Sequence, residues 1–181
     1  MEDLVTPEHL IYPVGRYAIP DEYNPGMQDE WISVIEAAPS WLDPCIENLD
    51  EEQLKTPYRP GGWNITQIIH HLADSHMNAY IRLKLALTED NPVVKPYQEA
   101  LWANLPDVDV VPVNVSITLL HALHRRWGAT MRNMLPEDWE RTFYHPEQDR
   151  NIGVWELADI YSWHSRHHME QIRSFRNRMN W

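Results

Sequence analysis

Two histidines stand where a helix calls for apolar residues. Near the end of the chain Leu157, Ile160, Tyr161, Ile172, Phe175 and Met179 recur at helical period, and His164 and His168 fall in the middle of that face. One turn apart, they are separated by roughly 40° around the axis, so both imidazoles can reach one point from a rigid backbone. Such a pair has two uses. Each ring can be a core residue hydrogen-bonded to its neighbours, or the two can offer neutral nitrogens to one metal ion and leave further ligands to come from elsewhere. A second histidine-rich stretch could supply the third ligand: His70-His71-Leu-Ala-Asp74-Ser75-His76-Met-Asn78. Here Ile65, Ile68, Ile69, Leu72, Ala79 and Leu83 form the apolar stripe, and His71, Asp74, Ser75 and Asn78 line its border. His70 and His71 lie about 100° apart, so both cannot face the same point. The polar stripe favours His71, and the competing reading of that stripe is a solvated face.

Four helical segments must position these groups. The periodicity predicts the first over about Met27 to Asn48, with Pro39 and Pro44 inside it and a kink or break expected there. The second runs from about Ile65 to Leu87. It is opened by Asn64-Ile-Thr-Gln67, an Asn-initiated variant of the capping box, after a turn at Gly61-Gly62. The third runs from about Ser116 to Met134, closed by Pro136, and the fourth from about Val154 to Asn177. Residues 1–26, rich in Pro, Tyr and Gly, read as extended. Residues 88–115 hold Pro92, Pro96, Pro106 and Pro112, a long connection that either crosses the bundle or covers a site. Residues 137–153 carry a weak hairpin signal. The expectation is an all-α four-helix bundle with long Pro-rich connections, one domain over residues 1–181, with a crossover topology open to it.

Composition excludes several classes of function. The net charge is −12 with histidine neutral, and the basic residues form no long run, so a nucleic-acid backbone would find little to neutralise it. The single cysteine, Cys45, rules out an intrachain disulfide and a cysteine-based zinc cluster, and its apolar surroundings suit a packing role. The opening Met-Glu-Asp-Leu-Val-Thr-Pro has neither the basic nor the apolar region of a signal peptide, and no stretch approaches the ~18 apolar residues that span a bilayer. These features predict a soluble intracellular protein with no membrane or nucleic-acid partner. Gly61-Gly62 lacks the Lys-Ser/Thr of a phosphate-binding loop. The nine Trp suit a core, a pocket wall or both.

The block Thr56-Pro-Tyr-Arg-Pro-Gly-Gly-Trp-Asn-Ile-Thr-Gln-Ile-Ile-His70-His71-Leu-Ala-Asp-Ser-His76 resembles the signature of the YfiT-type metal-dependent hydrolases, within the DinB-like superfamily. Tyr12-Pro-Val-Gly-Arg-Tyr17, Phe143-Tyr-His-Pro146 and Trp163-His-Ser-Arg-His-His168 match as well, in order, so the resemblance spans nearly the whole chain. It implies a four-helix bundle holding one divalent ion, zinc or nickel, on three histidines. Carried over position by position, these are His71, the second of the His-His pair, and His164 and His168. It also implies a cytoplasmic homodimer acting on a small-molecule substrate.

Three neutral histidines leave a divalent ion its full charge and at least one open position. Such an ion acts as a Lewis acid and lowers the pKa of a bound water or thiol. An all-histidine site suits Zn, Ni, Cu or Fe and not Ca or Mg, and zinc leads on availability. Asp74 and Gln171 are the expected orienting partners of His71 and His168, with general-base duty a bolder role for Asp74. His9, His70, His76, His121, His124, His145 and His167 are expected to be structural or exposed, His145 bordering the pocket. Three functions are open. The first is hydrolysis by activated water. The second is transfer or isomerisation with a low-molecular-weight thiol such as bacillithiol, which needs no protein nucleophile. The third is a structural or sensory metal with a closed shell. The sequence names no catalytic residue beyond the ligands.

Overall fold

The computed structural model describes residues 7–181; residues 1–6, on which the expectation of no signal peptide rests, lie outside the described residues. Four long helices carry the fold: α1 Gln28–Ile46, α2 Ile65–Thr88, α3 Val113–Arg132 and α4 Val154–Met179. Each lies where the apolar period places it, and the ends differ for local reasons. The capping box at the start of α2 forms in full. The Asn64 side chain accepts from the Gln67 N–H at 2.8 Å, and the Gln67 side chain accepts from the Asn64 N–H at 3.1 Å. α3 starts three residues before the expected Ser116, because Pro112 ends the preceding extended segment and a first turn needs no apolar repeat of its own. α4 runs two residues further than expected and stops at Asn180, which takes the left-handed conformation at φ 55°. Met179, assigned to the apolar face, is exposed in that last turn.

The break expected in α1 does not occur. Pro44 lies in the last turn, where the exposed carbonyls of Pro44 and Glu47 accept from the Arg176 guanidinium at 2.7 and 3.0 Å. Pro39 lies deeper, and its missing N–H deprives the Ile35 carbonyl of its intrahelical donor. A buried carbonyl left unpaired costs roughly 1–3 kcal/mol. The Ile35 carbonyl instead accepts from His124 of α3, so the helix continues through the proline.

Two apolar clusters occupy the ends of the bundle. One holds Trp31, Ile35, Leu83, Trp127, Phe143 and Leu157; the other holds Leu42, Ile65, Ile69, Leu120, Ile172 and Phe175. These memberships give the helix directions. α1 and α4 run from the first cluster to the second, and α2 and α3 both run from the second to the first. α1 packs against α3 and α4, as does α2. The connection after α2 must therefore travel back along the bundle before α3 can start, so the crossover topology is the one adopted. On the way Val94 donates to the Tyr144 carbonyl at 3.1 Å, and Tyr144 donates to the Pro92 carbonyl at 2.9 Å. Further on, Gln67 donates to the Ala103 carbonyl at 3.0 Å. Helical turns at Glu99–Trp102 and Pro106–Val110 complete the segment.

The weak hairpin signal is realised as an antiparallel pair, β1 Thr142–His145 and β2 Arg150–Gly153, with Phe143 opposite Ile152 and His145 opposite Arg150. Residues 7–27, expected to be extended, hold helical turns at Glu8–Ile11 and Pro25–Met27 with irregular chain between them, and strap across α4. Asp159 accepts from Tyr17 and from the Trp31 indole, both at 2.8 Å, and Trp163 donates to the Gly15 carbonyl at 3.2 Å. Among the described residues no helix is long and apolar enough to cross a membrane.

Asn64 caps the helix that carries His71. Asn64→Ala is expected to cost about 1 kcal/mol of unfolding free energy, and Asn64→Asp little, as read by urea denaturation.

Candidate metal centre

Between the two apolar clusters lies a layer of imidazoles. His71 enters it from α2, and His164 and His168 from α4. A ring nitrogen of each lies within 4.8 Å of the others, and Nε2 of His71 is 3.2 Å from Nε2 of His164. The rings meet edge-on, with centroids 4.5 Å apart for His164 and His168 and 5.0 Å for His71 and His168. The i,i+4 pair thus does converge, and the third histidine is His71. His70 turns away, to the Ser116 hydroxyl at 2.7 Å and the Val111 carbonyl at 3.1 Å.

Burial sets the charge state. His71 and His168 are buried and His164 half-buried. Loss of water pushes His71 down to about 4 and holds His164 and His168 well below the usual imidazole value, with the neighbouring rings adding to the effect. At neutral pH all three are uncharged, so each has one nitrogen lone pair to offer.

The expected role of Gln171 is observed, and it settles which nitrogen of His168 is bare. Gln171 Nε2 donates to the Ile11 carbonyl at 2.9 Å, so Oε1 is the atom 2.8 Å from His168 Nδ1. That nitrogen must carry the hydrogen, leaving Nε2 as the lone pair. Trp63 forms a wall, its ring 4.7 Å from His71 and stacked at 6.5 Å on His168. Gly61 delivers it by taking φ +65°, a turn that residues with a Cβ rarely make. Asp74 does not take the role expected of it. It makes no hydrogen bond to His71; its carboxyl is raised by burial and by Asp107, with His70 opposing.

Sequence reasoning missed His76 and His124 as parts of the centre. His76 of α2 sits 3.0 Å from His164 Nδ1, and its other nitrogen is 2.8 Å from His124 of α3. The available signal was His124 itself, a polar residue on the buried Leu120–Trp127 stripe.

A cleft of about 250 Å³ reaches His164, lined by Ser75, Arg82, Tyr97, His145 and Tyr161. His145 does border it, as expected, and its Nδ1 is buried without a partner among the described residues. The Ser75 hydroxyl is engaged by Tyr161 at 3.1 Å. Glu156, buried at the cleft wall, is clamped by both terminal nitrogens of Arg150. A second hollow of about 240 Å³ reaches His168 and Trp63 from the other side. Cys45 lies elsewhere, its thiol raised by burial and donating to the Trp41 carbonyl at 3.1 Å, in keeping with a packing role.

The donor set fits a divalent transition ion. It consists of three neutral imidazoles, and among the described residues no carboxylate or thiol joins them within ligand reach. A four-helix bundle with three convergent histidines on two of its helices defines a class of helical proteins with metal-ligand geometry in the core. The chain belongs to the DinB superfamily, whose family model matches residues 34–172, and within it to the YfiT-like proteins. It is 48% identical over 170 residues to a protein of Oceanobacillus iheyensis named "Putative metal-dependent hydrolase", covering 94% of this chain and 98% of that one. The solved structure of YfiT from Bacillus subtilis, described as "a probable metal-dependent hydrolase with an unusual four-helix bundle topology", matches with a TM-score of 0.92 at 42% identity. That match covers 96% of this chain and 99% of that one. The fold is also shared with a mycothiol-dependent maleylpyruvate isomerase at a TM-score of 0.62 and 16% identity, over 78% of this chain and 59% of that one.

Burial of the imidazole layer predicts a pH-dependent stability. His124 is held down to about 4 by burial, against an unfolded value of 6.5. Between these values the unfolded chain binds more protons. Stability is therefore complete above pH 6.5 and lost as pH falls towards 4, by roughly 3 kcal/mol for this one group. Urea midpoints of the metal-free protein from pH 7.5 to 4.5 should fall accordingly, and His124→Phe should flatten the slope.

Proposed function

We propose that this protein is a metal-dependent hydrolase, holding one divalent ion on His71, His164 and His168 and acting on a small molecule that enters the cleft beside His164. The ion assigned is zinc on grounds of availability, with nickel as the alternative. The observation that carries this reading is the convergence of three neutral imidazole nitrogens, with His164 among them lining the cleft and no fourth protein ligand within reach among the described residues. Such a set leaves coordination positions open, which suits a catalytic site rather than a closed structural one. The names of the close relatives point the same way.

When bound, the ion would supply Lewis acidity and lower the pKa of a coordinated water to about 7. The residues of the chain do the rest. Gln171 holds His168 in the tautomer that presents Nε2. Trp63 packs against His71 and His168 and restrains both rings. Arg82, Tyr97 and His145 line the cleft, where a substrate's polar groups would lie. The cleft offers no free serine or cysteine nucleophile among the described residues, since Ser75 is engaged by Tyr161 and Cys45 lies elsewhere.

That same lack of a nucleophile suits the second reading, in which the ion activates the sulfur of a low-molecular-weight thiol such as bacillithiol. In either reading the protein works as a cytoplasmic homodimer, as the family resemblance implies.

Protein purified without an affinity tag should contain about one zinc or nickel ion per chain by plasma mass spectrometry. His71→Ala, His164→Ala and His168→Ala should each lose it while circular dichroism stays unchanged. A wild-type protein that takes up no metal after reconstitution would sink the reading. Metal-dependent turnover of ester or amide substrates without added thiol selects hydrolysis, and turnover of an electrophile only with thiol selects transfer.

A further inference from the structure

The contact of Pro39 with the rest of the imidazole layer runs through four helices. Pro39 has no N–H for the Ile35 carbonyl of α1, and His124 Nδ1 of α3 takes that place. His124 Nε2 lies 2.8 Å from His76 Nδ1 of α2. His76 Nε2 lies 3.0 Å from His164 Nδ1 of α4. Both intermediate rings are 1% exposed, with ring–ring and ring–carbonyl hydrogen bonds and no recorded carboxylate bond, so they are neutral.

The direction of every bond then follows from one end. A carbonyl only accepts, so His124 Nδ1 carries the hydrogen. A neutral imidazole has one hydrogen, so His124 Nε2 is a bare acceptor and His76 Nδ1 must donate to it. His76 Nε2 is then bare, and His164 Nδ1 donates to it. His164 Nε2 is left with its lone pair, and it is the nitrogen that faces His71 Nε2 at 3.2 Å.

We propose that Pro39, the Ile35 carbonyl, His124 and His76 form a tautomer lock that commits Nε2 of His164 to metal ligation. It rests on the three-histidine reading above. His76 and His124 are positioning residues, since they act through His164. The chain is not a proton path to solvent, because it ends on a helix carbonyl that cannot take up a proton. It also orients the ligand with a neutral ring. A carboxylate in the place of His76 would make His164 more basic and reduce the positive charge left on the ion. Together with Gln171 on His168, it sets both α4 ligands before any ion arrives.

The test reads tautomers directly. Long-range ¹H–¹⁵N NMR of metal-stripped, ¹⁵N-histidine-labelled protein should show His124, His76 and His164 all in the Nδ1–H form. An Nε2–H form at any of the three overturns the lock without need of a variant. In His124→Leu, His76 loses its acceptor and should turn to Nε2–H, driving His164 to Nε2–H as well. The zinc Kd should weaken roughly 10- to 100-fold while the His168 tautomer stays. His124→Gln keeps an acceptor towards His76 and should bind zinc close to wild type. Pro39→Ala restores an N–H that competes for the Ile35 carbonyl, and should weaken zinc binding less than His124→Leu in a helix that is intrinsically better formed. Unchanged tautomers and affinity in a folded His124→Leu refute the proposal. Zinc binding with the wrong tautomers removes the lock and leaves the metal reading. The predicted tautomers with neither zinc nor nickel bound remove the metal reading instead.

Discussion

Burying five imidazoles in the middle of a bundle is possible only if their nitrogens find partners, and the rest of the structure follows from meeting that demand. Each unpaired polar atom there would cost about as much as a good core contact contributes. For three of them the demand is met by a belt of hydrogen bonds with one member on each helix: the Ile35 carbonyl on α1, His124 on α3, His76 on α2 and His164 on α4; Gln171 serves His168. The apolar clusters on either side supply cohesion but little specificity of register. The belt supplies register, because shifting any one helix by a turn would strand at least one buried nitrogen.

The crossover topology serves the same layer. With α2 parallel to α3, the returning connection lies along the outside of the bundle and brings Tyr97 over the cleft at His164. The strap before α1 plays the corresponding part on the other side, where the Ile11 carbonyl fixes the amide of Gln171 and through it His168. Long Pro-rich connections, costly to order in a small domain, are thus placed where they close over or orient the imidazole layer.

The chain carries a net charge of −12, yet among the described residues no carboxylate joins the three histidines. The acidic residues are spent elsewhere: Asp159 anchors Tyr17 and Trp31, and Glu156 clamps Arg150. Keeping them away from the three histidines leaves a neutral donor set. The long-range negative field of the surface favours the approach of a cation without lowering its charge once bound.

The sequence by itself determined the four helices, the cap at Asn64, the i,i+4 pair on α4 and, through the family resemblance, the choice of His71. The helices, the cap and the pair rest on local geometry, since the angle per residue fixes which side chains share a face before any helix has a neighbour, whereas His71 was chosen on the match to the family's His-His pair. Tertiary structure decided the rest. It made Pro39 harmless and useful, where the sequence suggested a break, because the donor that satisfies Ile35 comes from a helix 89 residues further along the chain. It drew His76 and His124 into the centre and left Asp74 outside it, because contacts between helices depend on packing angle and depth, which the period of one helix does not contain.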